Sequence, residues 1–285
     1  MRKYIYIMIS GILAVACQDY RYDEMVKDSF YFQASSLQQQ TVFVMDDNDY
    51  TYPMWIHKSG LFQNEISGRV ELDFNYLVQY NDGNDTDYRM LPEDYFDFER
   101  DFTIPEGCDE PNVPLILKAN KVVDELGYGT YYIPVTVKSR TPQIVGYEDK
   151  SHLLLEFNVL QAHLMLESEN KGIKLVELKD EIANMDLDIT TALNAEATVD
   201  VDIEYSVIND FEIPFGDKIL PENCYTFLPS VKIPKGQKYA FNTLTLKVEE
   251  IPSGEYFVLP LKFSVVGNEK INVNENDYLT LIVSK

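Results

Sequence analysis

Arg69-Val70-Glu71-Leu72-Asp73-Phe74-Asn75-Tyr76-Leu77-Val78 and Thr198-Val199-Asp200-Val201-Asp202-Ile203-Glu204-Tyr205-Ser206-Val207 are the two stretches that decide the fold. In the first, Val70, Leu72, Phe74, Tyr76 and Val78 alternate with Glu71, Asp73, Asn75 and Leu77. In the second, Val199, Val201, Ile203, Tyr205 and Val207 alternate with Asp200, Asp202, Glu204 and Ser206. Alternation with a period of two predicts strands with one buried face. The stretches also align with each other. Laying Arg69–Gly107 over Thr198–Gly236 without gaps gives eleven identities in 39 positions. Leu91-Pro92-Glu93 falls on Leu220-Pro221-Glu222, and Ile104-Pro105-Glu106-Gly107 on Ile233-Pro234-Lys235-Gly236. Further along, Tyr131–Val135 overlies Phe257–Leu261. Self-similarity at this period marks two copies of one domain.

Each copy reads as all-β. Further strands are predicted at 30–33, 41–45, 54–57, 113–117, 131–137 and 153–159, then at 164–167, 173–178, 187–190, 241–248, 257–263 and 278–283. Turn signals separate them, such as Asn81-Asp82-Gly83 and Pro252-Ser253-Gly254. About seven short strands per copy predict two tandem immunoglobulin-like β-sandwich domains. The expected boundaries are 1–16 signal peptide, 17–28 acidic linker, 29–160 first repeat and 161–285 second repeat. Pro134 and Pro260 interrupt strand patterns, which predicts edge strands or bulges there. A short helix is predicted over 176–184. Trp55, between Met54 and Ile56, is read as core.

The first residues form an export signal. Arg2 and Lys3 precede an uncharged, mostly apolar run from Tyr4 to Ala16, too short for the roughly 20 residues of a bilayer span. Leu13-Ala14-Val15-Ala16-Cys17 resembles the lipobox of bacterial lipoproteins. The resemblance implies lipidation of Cys17 and an outer-membrane lipid anchor, exposed at the cell surface. The acidic stretch after Cys17 resembles the surface-export tag of Bacteroidota lipoproteins.

The 285 residues carry a formal charge of −23. That charge opposes binding to nucleic acid or to anionic membranes. With 45% hydrophobic and 13% aromatic residues, packed cores are expected all the same. Cys108 and Cys224 lie in different repeats and are read as unpaired thiols. No metal or cofactor is expected: two Cys and three scattered His do not have zinc-ligand spacing. Acidic loops at 46–49, 81–87 and 274–277 offer oxygen ligands for calcium, but solvated loops are the default reading.

Leu91 to Phe96, Phe102 to Gly107 and Tyr131 to Ser139, with the opening Phe30-Tyr31-Phe32-Gln33-Ala34 and the segment 42–60, resemble domain of unknown function 1735. The second repeat carries the resemblance more faintly. The family supplies N-terminal parts of Bacteroidota surface lipoproteins from glycan-utilisation loci. Relatives often add a glycoside hydrolase or lectin-like module after it, and this chain stops after the second repeat. The resemblance implies a non-catalytic lipoprotein that binds or captures polysaccharide or oligosaccharide. It also implies outer-membrane glycan importers and companion lipoproteins as partners. The rival reading is a structural or adhesive subunit.

No enzyme is expected, because no motif presents facing carboxylates or a nucleophile beside His57, His152 or His163. Leu-Pro-Glu and Ile-Pro-x-Gly are read as backbone punctuation. Sugar sites use aromatic faces beside polar groups. Tyr80 and Tyr88 flank the 81–87 loop, and Tyr128 sits between Gly127 and Gly129. The second repeat has other residues at their aligned positions. These three tyrosines are therefore the candidate glycan contacts.

Overall fold

The computed structural model describes residues 29–59, 65–108, 111–141, 144–146, 150–167, 171–179, 182–208, 218–274 and 277–285. The expected signal peptide, Cys17 and the expected acidic linker lie outside them. The described residues fall into two compact units, one of 29–42 and 48–159, the other of 43–47 and 160–285. The protein is all-β, as two immunoglobulin-like sandwiches.

In the first unit, β1 (Ser29–Phe32), β2 (Ser36–Val44), β3 (Tyr50–Ser59) and β4 (Ile66–Leu72) lead into α1 (Phe74–Asn84). Then come β5 (Phe96–Phe98), β6 (Asp101–Ile104), β7 (Asn112–Leu117), α2 (Ala119–Leu126), β8 (Gly129–Ser139), β9 (Val145–Gly146) and the start of β10 (His152–Leu166). One sheet has the order β5-β7-β3-β1-β9; the other runs from β10 through β8 and β4 to β6. Their inner faces bury Phe30, Ile56, Val70, Val135, Leu153 and Phe157. Each such side chain contributes roughly 1.5–3 kcal/mol on leaving water.

In the second unit, the end of β10 is followed by β11 (Gly172–Glu177), β12 (Asn184–Leu193), β13 (Val201–Val207), β14 (Lys218–Ile219), β15 (Tyr225–Thr226) and β16 (Ser230–Ile233). The chain closes with β17 (Tyr239–Lys247), β18 (Tyr256–Val266), β19 (Ile271–Val273) and β20 (Leu279–Ser284). The order β15-β17-β12-β10 and the order β11-β20-β18-β13-β16 repeat the first unit's plan. Leu164, Ile189, Ile203, Leu244, Leu259 and Leu281 form its core.

The strand registers correct the repeat alignment. Ile66 pairs with Ile104, and Val201 pairs with Ile233. Leu72 pairs with Val135, and Val207 with Leu261. The structural equivalent of 201–207 is therefore 66–72, not the 72–78 of the ungapped alignment. After these strands the units re-register at Leu91 and Leu220, and the first unit has six more residues in between. The expected strand over 70–78 stops at Leu72. Asp73 Oδ1 accepts the Tyr76 N–H at 3.0 Å and caps α1. Phe74, assigned to a buried face by alternation, is 61% exposed, and Leu77 is buried instead. Asn81-Asp82-Gly83 falls inside α1, which ends where Asp85 takes φ 54° and gives its N–H to Asn81 O.

The prolines explain where the strand stops. β8 and β18 are central strands, not edges. Pro134 O accepts the Asp73 N–H at 3.0 Å, and Pro260 O accepts the Ile208 N–H at 2.9 Å. The return bond of each pair would need a proline N–H, so the neighbouring strand ends there. The chain rejoins through Leu91 N–H to Tyr132 O, 2.8 Å, and Leu220 N–H to Val258 O, 2.9 Å. Leu91 and Leu220 are both buried. Pro92 and Pro221 then precede short 3-10 turns. Gly107 and Gly236 take φ of 77° and 79° in the Ile-Pro-x-Gly turns. Both motifs are backbone devices, as their chemistry suggested.

Two further expectations fail. Residues 172–177 are strand, paired with β20, and 182–183 is irregular, so the 176–184 helix does not form over the described part. Trp55 is 41% exposed on the outer face of β3; Met54 and Ile56 on either side take the core face. Cys108 is exposed and Cys224 buried, and both are free thiols. Replacing Leu91 or Leu220 by Ala empties a core position and should cost about 2–5 kcal/mol. Urea unfolding followed by near-ultraviolet circular dichroism measures it.

Candidate binding groove

The extra residues of the first unit build a groove on one face of its sheet. On the outer face of the β10-β8-β4 sheet, Tyr132, Pro134, Thr136 and Lys138 lie opposite Glu156, Leu154, His152 and their neighbours. Leu154 and Pro134 are nevertheless buried, because α1 lies against β8. Residues 73–79 and the sheet then line an open groove of about 510 Å³, with Asp73, Asn75, Tyr76, Gln79, Thr136, Lys138 and His152 as its polar side chains. Phe74 stands on its rim with its ring in solvent.

Five rings continue from the groove. His152 stacks on Tyr76 with centroids 4.8 Å apart. Tyr76 meets Tyr80 edge-on at 6.4 Å, Tyr80 stacks with Tyr88 at 6.0 Å, and Tyr88 lies on Tyr132 at 4.0 Å. Each such pair adds about 0.5–1.5 kcal/mol beyond its buried area. Asn81 holds Tyr88 in place: its Oδ1 accepts the Tyr88 N–H at 3.1 Å and its Nδ2 donates to Tyr88 O at 2.9 Å. The same Oδ1 accepts Thr86 Oγ1 at 2.9 Å. The 81–87 loop is thus knitted to its own helix end. Tyr80 and Tyr88 are brought together as expected of neighbours in sequence, and the Tyr88 ring stacks with both Tyr80 and Tyr132. Tyr128 is not part of this array; it stands 42% exposed at the bend between α2 and β8.

The electrostatics are local. Asp73 Oδ2 lies 3.0 Å from His152 Nδ1. Lys138 Nζ is 2.7 Å from Glu71 Oε2, and that hydrogen bond holds the Glu71 carboxyl below its usual range. Burial, then hydrogen bonding with Tyr88 and with Glu156, pushes the Tyr132 hydroxyl far above the usual tyrosine range. Glu156 in turn accepts Gln39 Nε2 at 3.0 Å. Glu93 of the Leu-Pro-Glu motif pairs with Arg100 at 2.7 Å. Among the described residues no three acids, histidines or cysteines converge as a metal site.

Phe74 and His152 were missed as site residues in sequence. Phe74 was assigned to a strand's core face, and His152 sits in an ordinary strand run. The available signal was Asp73, a good helix N-cap, directly before Phe74.

A family model for an N-terminal domain matches twice, over residues 24–144 and 160–270. The chain belongs to the domain of unknown function 1735 family. No curated protein matches it. Among solved structures, CBD12 from CALX1.2 is similar at 9% identity and TM-score 0.43, covering 90% of this chain and 99% of that one. A multidomain protein including DUF1735 from Bacteroides ovatus is similar at 12% identity and TM-score 0.36, covering 77% and 94%. EndoBT-3987 from Bacteroides thetaiotamicron, solved with a Man5GlcNAc product, is similar at 23% identity and TM-score 0.35, covering 46% of this chain and 30% of that one.

The Tyr132 shift has a consequence for this family member. The unfolded chain loses the Tyr132 proton near pH 10, while the folded chain still holds it. The unfolded state then binds fewer protons, so stability should fall as pH rises above about 10. Urea unfolding between pH 8 and 11 checks this, and Tyr132→Phe should flatten the decline.

Proposed function

We propose that this protein is a non-catalytic, lipid-anchored surface protein that binds glycans in the groove of its first unit. The observation that carries the reading is Phe74. A helix that could have buried this ring sets it in solvent at the rim of a groove whose walls offer an amide, a hydroxyl, an ammonium and an imidazole. A pyranose has an apolar face for the ring and hydroxyls for the polar walls. Family membership and the lipobox support the same reading. Capture rather than cleavage fits Asp73, the one acid lining the groove among the described residues: it is engaged as the cap of α1. Lipidation of Cys17 would hold the groove at the outer surface, where glycan importers and companion lipoproteins are the expected partners.

Affinity gel electrophoresis against neutral polysaccharides tests the binding. Wild-type protein should be retarded by at least one of them, with no release of reducing sugar. Phe74→Ala should weaken retention at least about tenfold, the scale of about 1.4 kcal/mol. No retardation by any polysaccharide overturns the reading. For the anchor, cells fed radiolabelled palmitate should label the wild-type protein and not Cys17→Ala.

A further inference from the structure

A different surface carries exposed rings in both units. In the first unit, Leu117 is opposite both Tyr50 and Phe96; in the second, Leu246 is opposite both Met185 and Tyr225. These rungs correspond. Counting from them, Trp55 opposite Asn112 falls on the same rung as Thr190 opposite Phe241. Trp55 is 41% exposed and Phe241 70% exposed. The rung therefore presents one large outward ring per unit, on β3 in the first and on β17, the counterpart of β7, in the second, each facing a small polar side chain. Nothing in the packing of a sandwich asks for this, because outward strand positions are ordinarily polar.

The rungs beside the rings are ordered. In the second unit Tyr239 lies along the same strand as Phe241, with ring centroids 6.5 Å apart and planes 26° apart. Thr243 Oγ1 bonds Asp188 Oδ1 at 3.2 Å and Thr245 Oγ1 bonds Asp186 Oδ1 at 2.6 Å, forming a row of oxygens next to the rings. The buried Asn242 accepts the Leu228 N–H at 3.1 Å and donates to Leu228 O at 2.8 Å, fixing the strand's flank. In the first unit, Pro53 opposite Pro114 gives Trp55 a flat, rigid border, and His57 meets Tyr31 at 5.2 Å on the same face.

We propose that the outward face of this sheet is, in each unit, a platform for a neutral polysaccharide chain, with Trp55 and Phe241 as the stacking rings. The ligand class rests on the glycan reading above; the site does not involve the groove. Charge and area both select this occupant. A charge of −23 repels anionic ligands, whereas carboxylates and hydroxyls accept and donate hydrogen bonds to sugar hydroxyls. The exposed apolar side chains of each patch amount to roughly 300–400 Å², half or less of the ~800 Å² per partner of a standard protein interface. A thin chain lying along the strands needs no more.

Trp55 is the protein's one tryptophan, so its emission reports on one platform alone. The full chain in mild detergent is titrated with soluble mannan, xyloglucan, galactan and dextran. With a polysaccharide that retards the protein in gels, Trp55 emission should move to the blue and become shielded from acrylamide. Phe74→Ala should leave that response intact. Phe241→Ala should lower gel retention at least threefold without altering the Trp55 response. Adding Trp55→Ala to Phe241→Ala should lower retention further, with melting temperature held to confirm folding. Retention with no change at Trp55 and none on Phe241→Ala overturns the platform and leaves the groove reading standing. No retention of wild type overturns both. Concentration-dependent self-association that Phe241→Ala disperses would make this face an interface between copies, and that also overturns the platform.

Discussion

The proline at the centre of β8 is the constraint on which the rest of the first unit depends. Pro134 can accept a hydrogen bond from Asp73 but cannot return one. The ladder between β4 and β8 therefore closes at Leu72, and the chain must leave the sheet while its outer face is still uncovered. Pro260 imposes the same departure after Val207. In both units the chain comes back at a buried leucine whose N–H binds the same central strand. Departure and return points are fixed by backbone chemistry. What lies between them is free to vary, and in the first unit it is a helix with a groove beneath it.

Much of the fold was legible in sequence because most strands bury one face. Val201, Ile203 and Tyr205 alternate and are buried on alternate residues. The same pattern misled at Phe74, Tyr76 and Val78. There the apolar spacing of two continued past the point where β4 ends, and the capping carboxylate of Asp73 outweighed it. Trp55 was misread for a related reason: flanked by Met54 and Ile56, it looked buried, yet in a strand its neighbours' burial is what places it outside. The ungapped repeat alignment likewise matched Val70 with Val199 by letter, whereas hydrogen-bond register places Ile66 with Val201. Only long-range pairing carries that information.

The candidate surfaces were less legible than the fold. Tyr80 and Tyr88 were identifiable because the second repeat lacks them, and they do join one array. Their rings largely face one another, and the exposed ring at the groove belongs to a residue that alternation had assigned to the core. The ring equivalence between Trp55 and Phe241 is invisible in the letters, since tryptophan aligns with threonine and asparagine with phenylalanine. It emerges once rungs are counted. A surface property can persist while the strand that supplies it changes.

The segment between the proline carbonyl and the returning leucine is where the two units differ in length. It holds 73–90 in one unit and 208–219 in the other. Closing a loop half again as long costs well under the ~0.6 kcal/mol of a doubling. Duplication of such a domain therefore leaves one position where added length costs little in chain closure, while the sandwich around it stays as it was.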